Sequence, residues 1–470
     1  MTNPLNGPSP ARVLSDLWSV AGGDPAALER VQLSGADPAL PSSFRIGTLA
    51  QATIAATALA ATEIWRQRAK RTQTVAVDMR HAAIEFRSER YMRIDGKPPG
   101  PAWDKIAGIY ATGDGRKVRL HTNFQHHRDG ILKLLDCAYE REAVQAALMR
   151  WVGEKFETAA AEAKLVATLM RSPAEWAAHR QGQAVAGLPL LEITKIGDSP
   201  ARALPRSTER PLSDIRVLDL TRVIAGPVCG RALAAHGADV MRVTGPHLPG
   251  LPELDIDTGR GKLSASIDLR ATDDRDWLRA LAREAHVFVQ GYRPGGLADK
   301  GFSPEALAEM RPGIVAVTLS AYGHAGPWAN RRGFDSLVQN ASGINVAEAE
   351  AAGVSAPKEL PAQALDHATG YLMAFGAMMA LARKAHEGGS WHVRVSLAQT
   401  GHWLTGLGRV GDGFTCAEPT GEEVKARTDG IDTPFGRLTF IKHAAVLSET
   451  PAYWSRPPVK LGTHAPVWPV

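Results

Sequence analysis

Cysteine is scarce in this chain, with three in 470 residues. Cys137, Cys229 and Cys416 stand far apart and share no metal-ligand spacing, which excludes a disulfide framework and a cysteine zinc site. No run approaches the roughly 18 apolar residues that a membrane-spanning helix needs. The opening MTNPLNGPSPARVLSD has no apolar h-region, so a cytoplasmic protein without membrane contact is expected. Neither charge sign dominates: 54 Lys and Arg against 49 Asp and Glu leave +5. Without Lys/Arg runs interleaved with aromatics no nucleic-acid partner is expected, and the mild excess suits local basic sites for a phosphorylated ligand. Two phosphate-loop signatures are also missing. TRVIAGP, from Thr221, lacks the G-x-G-x-x-G spacing, and Gly259-Arg260-Gly261-Lys262 is not a Walker A loop. The histidine cluster His121, His126 and His127 has no evident carboxylates to orient it, so no metal site is expected.

What is present is ordinary globular composition, 44% hydrophobic and 22% charged, over a length that predicts two or three domains. Residues 1–45 read as an N-terminal extension with a short helix over 12–21. The pattern then predicts a helix over 47–69, a strand over 74–79, and strands within 108–121. Helices follow over 128–135, 142–153, 157–169 and 173–181, and a loop reaches Lys195. SPARALPRSTERP, 199–211, has three prolines and no apolar period, so it reads as a linker. Beyond it, strands over 215–220, 238–243, 286–289 and 314–320 alternate with helices over 228–236, 273–284 and 304–310. Such alternation predicts an α/β fold: a Rossmann-like, mostly parallel sheet over 212–400, a smaller α+β domain within 46–198, and a return segment over 401–470.

PAQALDHATGYLMAFG, 361–376, puts one carboxylate, Asp366, at the start of an otherwise apolar helix. A similar stretch earlier reads LAQATIAAT, 49–57, with Ile54 in the place of Asp366. Val75-Ala76-Val77 likewise matches Val393-Arg394-Val395, and GIYATGDGRKVRLH from Gly108 matches GIDTPFGRLTFIKH from Gly430. The ordered recurrence of helix, strand and glycine-centred turn predicts a partial duplication whose first copy has no acid. An aspartate before a helix can equally be a simple cap.

Several stretches carry a family resemblance: RVLDLTRVIAGPVCGRALAAHGADVMRV (216–243), GRGKLSASIDLR (259–270), VFVQGYRPGGLADKGF (287–302), LSAYGHAGPWANRRGFDSLVQNASG (319–343) and ALDHATGYLMAFGAMMAL (364–381). In this order and spacing they resemble the class III CoA-transferases, also called the CaiB/BaiF or formyl-CoA transferase-like family. The resemblance implies that fold, an acyl-CoA and a carboxylic acid as substrates, and no cofactor beyond coenzyme A. Asp366 matches the catalytic aspartate, which attacks an acyl-CoA to give an acyl-aspartyl anhydride. CoA thiolate then forms an aspartyl-CoA thioester, and the acceptor carboxylate completes the exchange. Val223, Ile224 and Ala225 match a loop lining the nucleotide, Gly291 and Tyr292 a segment beside adenine and pantetheine, and Lys262 and Arg332 bases approaching the phosphates. Asp335 matches an acid beside the pocket. Lys262 and Arg332 could instead be solvated surface charges, Tyr292 core, and Asp335 a structural acid.

The chain departs from the family at Thr244, Gly259 and Asp299, which touches the nucleotide grip. The racemase branch has a histidine where this chain has Phe334, with His367 as a conceivable substitute base. A racemase or epimerase, or a silent CoA-binding protein, stays an alternative. The small domain lies before the Rossmann part and is missing after Gly406, so the halves are expected to complement each other, as a homodimer or an intramolecular pseudo-dimer.

Overall fold

The computed structural model describes residues 7–207, 209–293 and 295–469. Before the linker lie β1 (Val31–Ser34), β2 (Val75–Asp78), β3 (Arg93–Ile94), β4 (Gly108–Ala111), β5 (Lys117–Leu120), β6 (Ala167–Leu169) and β7 (Glu192–Gly197). After it come β8 (Arg216–Leu220), β9 (Asp239–Thr244), β10 (Lys262–Ser266), β11 (Val287–Gln290), β12 (Val315–Ser320) and β13 (Ser390–Ser396). The chain closes with β14 (Thr428–Thr433), β15 (Gly436–Ile441) and β16 (Ala445–Leu447).

The main sheet has the order β10-β9-β8-β11-β12-β13-β7. Its first six strands are parallel, as their apolar runs require when helices cover both faces. Strand order reverses between β8 and β11, and the crevice at the strand ends there is where such sheets bind ligands. The chain has a mixed α/β fold with a seven-stranded, mostly parallel sheet.

The segment expected as a loop up to Lys195 is β7, an antiparallel edge strand on β13, with Ile193 opposite Val393. It leaves the N-terminal half to finish the sheet of the C-terminal half. The reverse exchange also occurs: β1 and β2 pair in parallel, and β16, from the end of the chain, adds antiparallel to β2. The three-stranded sheet β1-β2-β16 thus repeats the edge β12-β13-β7. Each half contributes the outer strand of the other.

Between β1 and β2, and between β12 and β13, runs a 24-residue helix: Ile46–Ala69 and Ala364–Glu387. Both are apolar around nearly their whole circumference, which suits helices buried on all sides. They pack against each other, with Thr57 Oγ1 donating to Tyr371 O at 2.9 Å. The small domain, β4-β5-β6 with helices Gln125–Leu135, Arg141–Leu148 and Gly153–Glu162, keeps its own core around Ile106, Val118, Ile131 and Phe156. Its counterpart hairpin, β14-β15, pairs with β3 instead, and β16 begins two residues after His443.

Four local expectations are corrected. Residues 7–45 are not a peripheral extension, because Leu17 and Trp18 are buried in the main core and β1 is a sheet member. The helix expected over 157–169 ends at Glu162, since 167–169 is claimed by pairing with β5. The helix expected over 173–181 breaks at His179, and a second runs Arg180–Ala186. Within TRVIAGP the helix already starts at Ala225. The linker is not loose either: Arg68 donates to Pro205 O and Pro211 O at 2.7 and 2.8 Å. Among the described residues no helix is long and apolar enough to cross a membrane.

Candidate active site

Asp366 is the third residue of the helix Ala364–Glu387. Its N–H donates to Asp335 Oδ2 at 3.0 Å, and Asp335 Oδ1 accepts from Gln339 Nε2. Asp335 caps the helix from outside, and Asp366 takes no part in capping. Its side chain lines a cavity of about 410 Å3 instead, a volume typical of small-molecule sites. Burial raises the Asp366 carboxyl well above its ordinary value, helped by the charges of Asp335 and Glu89. Burial also pushes Asp335 up to about 6, against the hydrogen bonds it accepts. The positive end of the helix opposes both shifts.

Two chain segments converge on this acid for steric reasons. A Cβ on Gly370, one turn after Asp366, would lie 2.4 Å from Ala225 O; only glycine lets the helix press on the loop after β8. Within that loop Val223 has φ +74, a left-handed conformation that a β-branched residue avoids unless its surroundings enforce it. Val223, Ile224, Ala225, Gly291 and Tyr292 all line the cavity with Asp366 and Arg332. Asp335 stands directly behind Asp366, 1% exposed, and is not itself part of the wall.

The wall is strongly basic. Arg222, Arg293, Lys300 and Arg332 line it without a carboxylate partner among the described residues, Arg270 and Arg331 line it paired with Asp268 and Glu157, and Asp366 is the one acid that lines it. Arg222 and Arg332 also tie the cavity to the small domain: Arg222 lies 4.5 Å over the Phe124 ring, and Arg332 Nη1 donates to Lys164 O at 3.0 Å. Such a site suits a ligand with several negative charges.

Lys262 does not approach the cavity. It is 2% exposed, with Nζ 2.7 Å from both Asp219 Oδ2 and Pro227 O. The alternation of β10 turns it under the sheet, where a buried cation needs such a partner. His367 is no substitute base, because consecutive helical residues diverge by about 100°: its Nε2 lies 3.1 Å from Glu89 Oε2, inside the protein. Phe334 lines the cavity and stacks on His121 at 3.9 Å between ring centres. Burial pushes His121 down to about 3.

The partner of Asp366 in the N-terminal half is Thr48, not Ile54. Thr48 is the third residue of Ile46–Ala69, and its N–H donates to Asp37 Oδ2 at 3.1 Å. Asp37 also accepts from Gly47 N at 2.9 Å. This offset of 318 residues (366−48) is also that of the strands, Val75 to Val393. The Ala-Gln-Ala match is shifted by six residues. Ile54 is wholly buried in the middle of the helix.

Sequence reasoning missed Phe124, His126 and His127 as cavity residues. The small domain carries them to the mouth from about 90 residues before β8. Their adjacency was legible, but not its target. Among the described residues no group of His, Cys, Asp and Glu could hold a metal ion.

Residues 212–428 match the sequence model of CoA-transferase family III. An acetyl-coenzyme A transferase, nodX, of Hypoxylon pulicicidum is 31% identical over 322 residues, 64% of this chain and 54% of its own length. An acyl-CoA transferase of Gibberella moniliformis is 29% identical over 420 residues, covering 80% of this chain and 73% of its own. That alignment reaches well outside the family segment. The crystal structure of Rv3272 from M. tuberculosis is 28% identical, with a TM-score of 0.37 over 42% of this chain and 58% of that one. The chain thus spans little more than half the length of two of these three relatives.

Proposed function

We propose that this chain, whose residues 212–428 match the sequence model of CoA-transferase family III, is a member of that family and moves coenzyme A between carboxylic acids through a covalent bond to Asp366. The observation that carries the reading is a single carboxylate, Asp366, in the wall of a cavity that is also lined by Arg222, Arg293, Lys300 and Arg332. The ionised Asp366 attacks the thioester carbonyl and releases CoA thiolate, leaving an acyl-aspartyl anhydride. The thiolate attacks the aspartyl carbonyl, and the donor acid departs. An acceptor carboxylate attacks the resulting aspartyl-CoA thioester and regenerates an anhydride and free thiolate. Attack of that thiolate on the new acyl carbonyl yields the product thioester and frees Asp366.

The chain's own groups divide this work. Val223–Ala225, Gly291 and Tyr292 flank the thioester arm, Arg222 and Arg332 hold negative charge at the mouth, and Asp335 fixes the helix start that carries Asp366. On this reading the two halves descend from one duplicated unit and form a pseudo-dimer inside a single chain, with one active site.

A racemase or epimerase is the weaker reading, because neither the histidine nearest Asp366 in sequence nor the one beside Phe334 faces the cavity. His367 points inward, and His121 lies behind Phe334. The test is mass spectrometry of the intact chain after incubation with a panel of acyl-CoAs and quenching. The expected result is an acyl or CoA adduct on the peptide that contains Asp366. Deuterium uptake at the α-carbon without an acceptor acid, and without any adduct, would replace transfer by racemisation.

A further inference from the structure

The small domain does more than close the cavity. The helix Gln125–Leu135 presents its first turn to the mouth, and Phe124, His126 and His127 all line the cavity there. Among the described residues the main-chain N–H groups of Gln125 and His126 have no partner, because those of His127 and Arg128 take Phe124 O. His127 is 5% exposed and lines the cavity; its Nδ1 is shut off from solvent, and its Nε2, the ring nitrogen left open, has no hydrogen-bond partner among the described residues. Arg222 and Arg332 line the same cavity from the Rossmann side; burial depresses both His126 and His127, and the charges of Arg332 and Arg222 add to it.

Resting on the reading that the ligand is a CoA thioester, we infer that His127, the free first turn of its helix, Arg222 and Arg332 together form a subsite for a phosphate group of that ligand. A neutral imidazole donates one N–H, the helix start donates main-chain N–H groups, and two guanidiniums supply charge. The N-terminal half is then a working part of the binding site, in addition to being a scaffold. It also places on the small domain a grip that the Rossmann half does not supply through Lys262, which is buried under the sheet.

Calorimetric titration of the full chain with CoA, 3′-dephospho-CoA and pantetheine tests the assignment. Replacement His127→Ala should weaken CoA about tenfold or more, the usual size for a hydrogen bond to a charged group, and leave pantetheine unchanged. If wild type already loses that factor with 3′-dephospho-CoA, the subsite takes the 3′-phosphate. If wild type holds the two alike and the variant loses both, it takes the diphosphate. Wild-type affinity for CoA in His127→Ala overturns the subsite. Should that variant not fold, the half-buried Arg332→Gln is read by the same titrations and the same criteria. A wild-type chain that binds no CoA overturns the functional reading itself, and the subsite falls with it.

Discussion

Thr48 and Asp366 occupy the same place in two helices of one chain. Each is the third residue of a 24-residue helix, and each gives its N–H to an aspartate ahead of that helix, Asp37 or Asp335. What separates them is the neighbourhood. Asp366 faces a cavity formed by the loops after β8 and β11. No Rossmann sheet accompanies the Thr48 helix, and the Thr48 hydroxyl donates to Asp37 at 2.5 Å instead.

One labelled position per chain is therefore expected. Trapping with a reactive acyl-CoA, followed by peptide mapping, should find Asp366 alone. A label at Thr48, Asp37 or near Ile54 would refute a single centre.

Replacing Asp366 by Ala removes the nucleophile without emptying the mouth. Transfer should fall by several orders of magnitude while CoA binding persists. Activity within roughly tenfold of wild type would sink the covalent role.

Asp335 raises the neighbouring carboxyl by like charge, so Asp335→Asn should move the acid limb of kcat/KM toward lower pH. The sign for stability follows from proton binding. Asp335 is pushed up to about 6 from an ordinary 3.8. Between those values the folded chain holds a proton that the unfolded chain releases, so stability falls as pH rises through that window. The Asn variant should lose this slope in denaturant titrations at pH 4 to about 6. An unshifted acid limb would count against coupling of the pair.

Lys262→Met separates structure from binding. It leaves Asp219 buried without its cation, which costs about 3–5 kcal/mol. A lower Tm with little change in the CoA affinity of the folded protein is expected. A selective loss of CoA affinity at unchanged Tm would return Lys262 to the phosphate site.

Cutting a protease site introduced within 201–207 should leave the two halves associated on size exclusion, because β7 and β16 are exchanged between them. Halves expressed separately should be poorly soluble, since each exposes the surface that the other covers. A C-terminal fragment that is stable and fully active alone would end the idea of mutual completion.

The α/β class, the alternation from β8 to β12 and the isolated acid at residue 366 were determined by the sequence alone. Periods of 2 and 3.6 and unbroken apolar runs are local, and a single carboxylate in an Ala-rich helix stands out without any partner. The repeat was legible too, through the spacing of Val75 and Val393. The tertiary structure decided what depends on partners far along the chain. Which helical residue answers Asp366 depends on where Asp37 meets the helix start. Lys262 turns inward because Asp219, 43 residues earlier, waits beneath the sheet. β7 reads as a loop until β13 offers it an edge, and His127 reaches the cavity only because the small domain folds back over β8. Backbone groups at an edge and charges under a sheet take the nearest partner in space, and no period in the sequence records that distance.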